Sequence, residues 1–352
     1  MNVSGSNKSL LNINLVRLTL AILIVLYHSI LFLNGHYFSA ISIEKNLVAS
    51  YIADWLNSFH VYAFVFVSGY LFFYLKNEKK VYKNYGGFAL QKIKRLIVPY
   101  LIVSLIWAAP IDYYFYRGDF SFFFNKYILG EGPSQLWFLL MLFLIFVLFY
   151  PLSNFFKKKL SIFIIFLSYA TYIVGSRFLP NIFQIWNVFK FLPFFYFGYI
   201  ARMWLDKKLK PSLFWVWIIT DLLLFVGYAF IENCQGSIFS IIRIILMFSI
   251  HIAGVLMIWS TIQFIGNHCN WEKSKITSFL IKRTMLIYLF HQQFVFFVVF
   301  FFYNKINVYL VSALAFIISL SCSLILASII LAFNWTRFLF GEKRKILIEK
   351  ND

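Results

Sequence analysis

The chain has 352 residues, of which 62% are hydrophobic and 13% are charged, and its mean hydropathy is +0.79. Soluble domains of this length do not have so apolar a composition, so we predict a polytopic membrane protein. The formal net charge of +19 could indicate a nucleic-acid partner, but the placement of the charges along the chain argues against one.

Ten apolar segments can be recognised as membrane spans along the chain. They lie near residues 12–33, 51–75, 96–115, 135–152, 160–175, 183–204, 212–231, 238–265, 280–303 and 308–333. The fifth is the shortest. We therefore predict an all-α fold with about ten transmembrane helices, forming a single membrane domain over residues 1–352.

The connections between these spans alternate between strongly basic and nearly neutral segments. The basic ones are the N-terminal segment, residues 76–95, 157–159, 202–210 and 272–283, and the C-terminal tail. Lys and Arg in short loops concentrate on the cytoplasmic side of a membrane, so both termini are predicted to be cytoplasmic. Two termini on the same side require an even number of spans, which agrees with the ten predicted here. Topology thus accounts for the net charge, and the expected partner is the lipid bilayer rather than nucleic acid.

The first span contains two groups that lipid should exclude, Arg17 near its cytoplasmic end and His28 in its outer half. At about 100° per residue, a spacing of eleven residues returns to nearly the same helix face, about 16 Å further along. Such a polar stripe should face protein or a water-filled cavity. The alternative is that Arg17 extends to the lipid headgroups and that His28 is a hydrogen-bonded packing residue.

Three further residues could extend this site. His60 is expected to open the second span from the outside, at a depth similar to His28, so the two imidazoles could act as base and partner. Lys92 and Arg95 lie one turn apart where the third span begins on the cytoplasmic side, and such fixed cations suit a phosphate-bearing ligand. The alternatives are an interfacial role for His60 and ordinary cytoplasmic loop charge for Lys92 and Arg95.

The remaining polar groups in or near the spans are less specific. Trp137 opens the fourth span, and Tyr288 and His291 lie in the ninth span within IYLFH, followed by two glutamines. Functional and structural roles are both open for them. Neither the histidines and acidic residues nor the three cysteines have the spacing of a metal site. Asp54, Asp221 and Arg243 are charges at or within spans to which the sequence assigns no role.

Taken together, these segments resemble membrane-bound acyltransferase family 3, the integral-membrane O-acyltransferases of bacterial envelope polysaccharides. The matching pieces are Arg17-x10-His28, the run FHVYAFVFVSGYLF at 59–72, Lys92-x2-Arg95 followed by Pro99, LWFL at 136–139 and IYLFH at 287–291. They occur in the order of the family. This chain has Lys92 where the family usually has Arg, and a single Pro99 where a Pro-Pro pair is common.

The resemblance implies transfer of an acyl group, usually acetyl, from cytoplasmic acyl-CoA to a sugar hydroxyl of a surface glycan or its lipid-linked precursor. It implies a multi-pass protein of the bacterial inner membrane that uses acetyl-CoA as donor substrate and has no permanently bound cofactor. The expected roles are catalysis for His28 and His60, donor binding for Arg17, Lys92 and Arg95, and support for Trp137, Tyr288 and His291.

Two other functions remain open from the sequence alone. The chain could export a glycan or its lipid-linked unit, with Arg17 and His28 lining the pathway, or it could be a structural component of a polysaccharide assembly complex. Within the acyltransferase hypothesis, the acyl group, the sugar, its hydroxyl and the oligomeric state are also open. So is the choice between direct transfer and an acyl-imidazole at His28.

Overall fold

The computed structural model describes residues 5–153, 155, 160–176, 178–205 and 209–343, and regular structure in these ranges is entirely helical. The α-helices are α1 Gly5–Leu31, α2 Leu47–Asn57, α3 His60–Phe73, α4 Tyr85–Lys92, α5 Val98–Val103, α6 Ala109–Tyr116, α7 Phe120–Phe123, α8 Trp137–Leu152, α9 Leu160–Gly175, α10 Ile185–Ile200, α11 Phe214–Ile231, α12 Ser237–His268, α13 Lys275–Ile281, α14 Thr284–Phe302, α15 Val308–Ile330 and α16 Asn334–Leu339. The prediction of an all-α fold is confirmed.

Eight helical segments within the described part of the chain are long and apolar enough to cross a bilayer. They are Leu10–Asn34, Leu47–Glu78, Tyr85–Tyr116, Ser134–Leu152, Pro211–Ile231, Ser237–His268, Thr284–Phe302 and Val308–Ile330. Each matches a predicted span, so the chain is a polytopic membrane protein. The predicted fifth and sixth spans form α9 and α10, which have 16 residues each. The total of ten spans and the cytoplasmic location of the termini stay predictions.

The second span is longer than predicted and is interrupted. Its helical segment begins at Leu47 rather than near residue 51, and the α-helix breaks at Ser58 before resuming at His60. Backbone groups at membrane depth need partners inside the protein. Here His60 donates from Nδ1 to the Leu56 carbonyl at 2.5 Å, and His251 donates from Nδ1 to the Ser58 carbonyl at 2.6 Å. Two imidazoles therefore satisfy the carbonyls at the break.

Wide helical turns accommodate the prolines of the third span. Pro99 and Pro110 lack a backbone N–H, which removes one hydrogen bond from a regular helix. A π-helical turn at Ile93–Ile97 comes shortly before Pro99, and a second at Ser104–Ala108 comes shortly before Pro110. Such bulges allow a helix to continue past a proline. The segment Tyr85–Tyr116 is therefore continuous despite two residues that disfavour a straight α-helix.

Residue contacts divide the chain into two compact units. The first comprises residues 1–81 and 191–284, and the second comprises residues 82–190 and 285–352.

The first unit accounts for two charges that the sequence left unassigned. The Asp221 carboxylate accepts a hydrogen bond from the Trp55 indole at 2.8 Å. Arg243 on α12 donates to three carbonyls at or just beyond the end of α11, those of Ile231, Glu232 and Cys234. Both side chains satisfy polar groups within the unit.

Two glycines bring the backbones of α3 and α10 into direct contact in the first unit. A Cβ atom on Gly69 would lie 1.9 Å from the Phe195 carbonyl oxygen, and one on Gly198 would lie 1.9 Å from the Phe66 carbonyl oxygen. Without a hydrophobic driving force between helices in lipid, close packing through small residues stabilises the crossing. The glycine of the SGY motif is therefore required for helix packing.

We expect Gly69→Ala to destabilise the protein by about 2–3 kcal/mol, because the added methyl meets a carbonyl that belongs to another helix backbone. The matched control is Gly227→Ala on α11, where nothing lies within 4 Å of the added atom. Alanine there should be neutral or slightly stabilising. Thermal unfolding of the two variants in detergent measures the difference. Equal midpoints for Gly69→Ala, Gly227→Ala and the wild type would contradict this packing.

Candidate functional site

Arg17 and His28 lie on one continuous helix in the first unit. Helix α1 runs without interruption from Gly5 to Leu31, so the two residues share a face and lie about 16 Å apart along the axis. Both are half-buried. His28 lies in the last turn of α1, whereas Arg17 lies near the middle of the helix rather than near its end as expected, because α1 begins at Gly5.

The end of α1 folds the chain back over His28. A 3₁₀ turn follows the helix, and Gly35 adopts the left-handed conformation with φ of +83°, which reverses the chain. The Asn34 carboxamide then accepts hydrogen bonds from the backbone N–H groups of His36 and Tyr37, both at 2.9 Å. This turn places the Tyr37 hydroxyl oxygen 2.7 Å from Nδ1 of His28.

Tyr27 connects His28 to His60. Its ring centroid lies 4.8 Å from that of His28 and 4.9 Å from that of His60. His60 is buried, and it follows the break in the second span instead of opening the span as expected. The expected proximity of the two histidines is nevertheless found, since both contact the same tyrosine. Tyr27 and Tyr37 were not predicted from the sequence, although their positions next to and nine residues after His28 were an available signal.

The histidines differ in the partner of Nδ1. Each of His60, His251 and His291 donates from Nδ1 to a backbone carbonyl, which can only accept. Their neutral rings therefore carry the proton on Nδ1 and present Nε2 as the acceptor. Nδ1 of His28 instead contacts the Tyr37 hydroxyl, which can donate or accept. His28 can keep this hydrogen bond in either tautomer and when it is doubly protonated.

Lys92 and Arg95 belong to the second unit, and both lie near the side chain of Tyr82. The Lys92 ammonium is 3.5 Å from the Phe146 ring centroid, 5.3 Å from that of Phe88 and 5.6 Å from that of Tyr82. Such contacts hold a cation over the ring faces. Burial raises the pKa of the Tyr82 hydroxyl, and the charge of Arg95 partly offsets this. Arg95 is exposed and Lys92 is half-buried.

All three supporting residues are in the second unit, and one of them, Tyr288, belongs to a buried polar network. Trp137 begins α8, two residues after Gln135. The Tyr288 hydroxyl donates to the Gln135 carbonyl, and the Gln135 side chain donates to Gln293 Oε1 at 2.8 Å. The Gln293 amide returns a hydrogen bond to Gln135 Oε1 at 3.2 Å, and the Trp107 indole donates to Gln293 Oε1 at 3.1 Å.

This network links α14 to the start of α8. The glutamines beside His291 were recognised from the sequence, but Gln135 and Trp107 were not, because their partners lie far away in the chain. His291 is fully buried and donates to carbonyls of its own helix. The hydrogen bonds between Gln135, Tyr288 and Gln293 connect α14 with the start of α8, and the supporting role of Tyr288 and His291 stays a prediction.

No group of three potential metal-ligating side chains occurs among the residues that the structure describes. The structure brings His28, His60, Tyr27 and Tyr37 together in the first unit, with Arg17 on the same helix as His28. This cluster is the candidate active site.

Comparison with known proteins identifies one family. The family described as an acyltransferase domain matches residues 10–333, a range that includes every candidate residue above. No curated protein and no solved structure matches the chain.

Proposed function

This chain belongs to acyltransferase family 3 and is a membrane acyltransferase, and from that premise we propose its substrates and mechanism. It transfers an acyl group, acetyl in our proposal, from cytoplasmic acyl-CoA to a sugar hydroxyl at the outer face. The acceptor is a cell-surface polysaccharide or its lipid-linked precursor, and the membrane is the inner membrane of a bacterium. The observation that supports this most directly is the position of Arg17 and His28 on one face of α1, about 16 Å apart along its axis.

The donor is proposed to bind through its phosphates to basic residues on the predicted cytoplasmic side. A guanidinium can donate two parallel hydrogen bonds to phosphate oxygens, which makes Arg17 the principal anchor in this proposal. Lys92 and Arg95 are proposed as further phosphate-binding cations, from their position in the basic segment before the third predicted span. The extended arm of the donor is comparable in length to the distance between Arg17 and His28, so the thioester would reach the imidazole.

In the proposed reaction His28 acts as general base. Its Nε2 takes the proton of the acceptor hydroxyl as the oxygen attacks the thioester carbonyl carbon. The new C–O bond forms, the C–S bond breaks, and the departing sulfur takes the proton from Nε2. The products are the sugar ester and free CoA, and His28 returns to its neutral form. Neither a metal nor a covalent enzyme intermediate is required to balance these steps.

Export of a glycan is the rival function, and family membership favours acyl transfer over it. The two make different predictions for a deletion strain. Loss of an acyltransferase removes ester groups and leaves the polymer on the surface, whereas loss of an exporter removes the polymer itself. Mass analysis of the surface glycan from the wild-type and deletion strains distinguishes them.

We expect His28→Gln to abolish ester formation, because an amide can form hydrogen bonds but cannot accept the proton. The matched control is His36→Gln, which changes an exposed loop histidine of the same unit and should leave ester content unchanged. Complementation of the deletion strain with each variant, followed by mass analysis of the glycan, measures the effect. Near-normal ester content with His28→Gln in the membrane would show that the base lies elsewhere, with His60 the next candidate.

We expect Arg17→Ala to weaken acyl-CoA binding about tenfold or more, and Arg17→Lys to weaken it less, because a guanidinium holds phosphate in bidentate fashion. Lys92→Ala and Arg95→Ala should act in the same direction with smaller effects. Lys275→Ala is the control for net charge, since it removes one exposed positive charge from α13. Equilibrium binding of acyl-CoA to the folded, detergent-solubilised variants tests this. If Arg17→Ala and Lys275→Ala have equal affinity, Arg17 is not a donor ligand.

A further inference from the structure

We propose that Tyr37 is a positioning residue for His28, and this inference rests on the proposed role of His28 as general base. In this assignment the Tyr37 hydroxyl oxygen accepts the hydrogen on Nδ1 of His28. When the bond is made in this direction, Nε2 carries the lone pair that takes the acceptor proton. The bond also orients the imidazole ring on α1.

The geometry of the contact supports this role. The Tyr37 oxygen lies 2.7 Å from Nδ1 of His28, the ring nitrogen that the reaction does not use. The two ring centroids are 5.5 Å apart with an interplanar angle of 32°, so the residues meet through the hydroxyl rather than by face-to-face stacking. Removal of this one oxygen would break the hydrogen bond and leave the aromatic contact in place.

The loop that carries Tyr37 is fixed to the end of α1. Asn34 holds the backbone N–H of Tyr37, and the next side chain, Phe38, is only 2% exposed. At the far end of the loop, the backbone N–H of Asn46 donates to the Leu33 carbonyl at 2.8 Å. The hydroxyl is therefore presented from a closed loop, as a group that orients another side chain must be.

The hydrogen bond is expected to matter most during the reaction. When Nε2 takes the acceptor proton, His28 becomes positively charged and the Nδ1–H···O bond becomes charge-assisted, which strengthens it. An interaction that is stronger in the transition state than in the ground state accelerates the chemical step. A neutral His28 in the other tautomer would carry hydrogen on Nε2 and could not act as the base. Tyr37 should therefore affect kcat rather than substrate binding.

The test compares Tyr37→Phe with Tyr51→Phe in the purified protein. Tyr51 lies on α2 in the same unit and is 40% exposed, so the control removes a hydroxyl elsewhere. Acetyl-CoA and polysaccharide purified from the deletion strain serve as substrates. For Tyr37→Phe we expect kcat to fall about tenfold to hundredfold, the loss of one charge-assisted hydrogen bond, with both KM values within about twofold of wild type. The pH profile of kcat should change for Tyr37→Phe and not for Tyr51→Phe.

A second variant tests the same inference without removal of the hydroxyl. Asn34→Ala releases the turn that holds Tyr37 and should lower kcat in the same way, but by less than Tyr37→Phe does. Unfolding midpoints identify any variant that is simply misfolded. The inference is wrong if folded Tyr37→Phe has the kcat and pH profile of Tyr51→Phe. It is also wrong if the KM values of Tyr37→Phe rise by the same factor as its kcat falls. If the wild-type protein transfers no acetyl group, the proposed function fails instead, and the two failures are distinguishable.

Discussion

The structure depends on one constraint, that a polar group within a bilayer must find its partner inside the protein. The break in the second span is the clearest example. Where the α-helix stops at Ser58, two carbonyls receive hydrogen bonds from the imidazoles of His60 and His251. Arg243 does the same for three carbonyls at the end of α11. His60, His251 and Arg243 therefore each bind backbone carbonyls where a helix ends or is interrupted.

This constraint also separates structural histidines from the one assigned to chemistry. A histidine whose Nδ1 is bound to a carbonyl completes the backbone, as His251 and His291 do. His28 makes its Nδ1 contact with a tyrosine hydroxyl outside its own helix. His60 belongs to both groups. Its Nδ1 donates to the Leu56 carbonyl at the helix break, and its ring contacts Tyr27 beside His28. In our account His60 supports the site through that tyrosine, while His28 handles the proton.

Local sequence patterns predicted the structural features that depend only on residues close together in the chain. The hydropathy of the chain located eight segments that the structure forms as spanning helices, and the spacing of Arg17 and His28 placed them on one face of α1. The interruption at Ser58 could not be predicted, because it is stabilised by a histidine almost two hundred positions away. The pairing of Gln135 with Gln293 was missed for the same reason. In the apolar stretch at residues 183–204, the α-helix Ile185–Ile200 continues past Pro193 and is followed by a π-helical turn at Ala201–Leu205 that contains Arg202.

The central claim is that the acyl group passes from a donor on one side of the membrane to an acceptor on the other. Vesicles that contain the protein in one orientation test it most directly. Orientation is determined with an impermeant thiol reagent, since Cys269 lies on the predicted cytoplasmic side and Cys234 on the outer side. With labelled acetyl-CoA on the Cys269 side and de-esterified polysaccharide on the Cys234 side, the account predicts labelled ester on the polysaccharide. Ester formation only when both substrates are on the same side would contradict it.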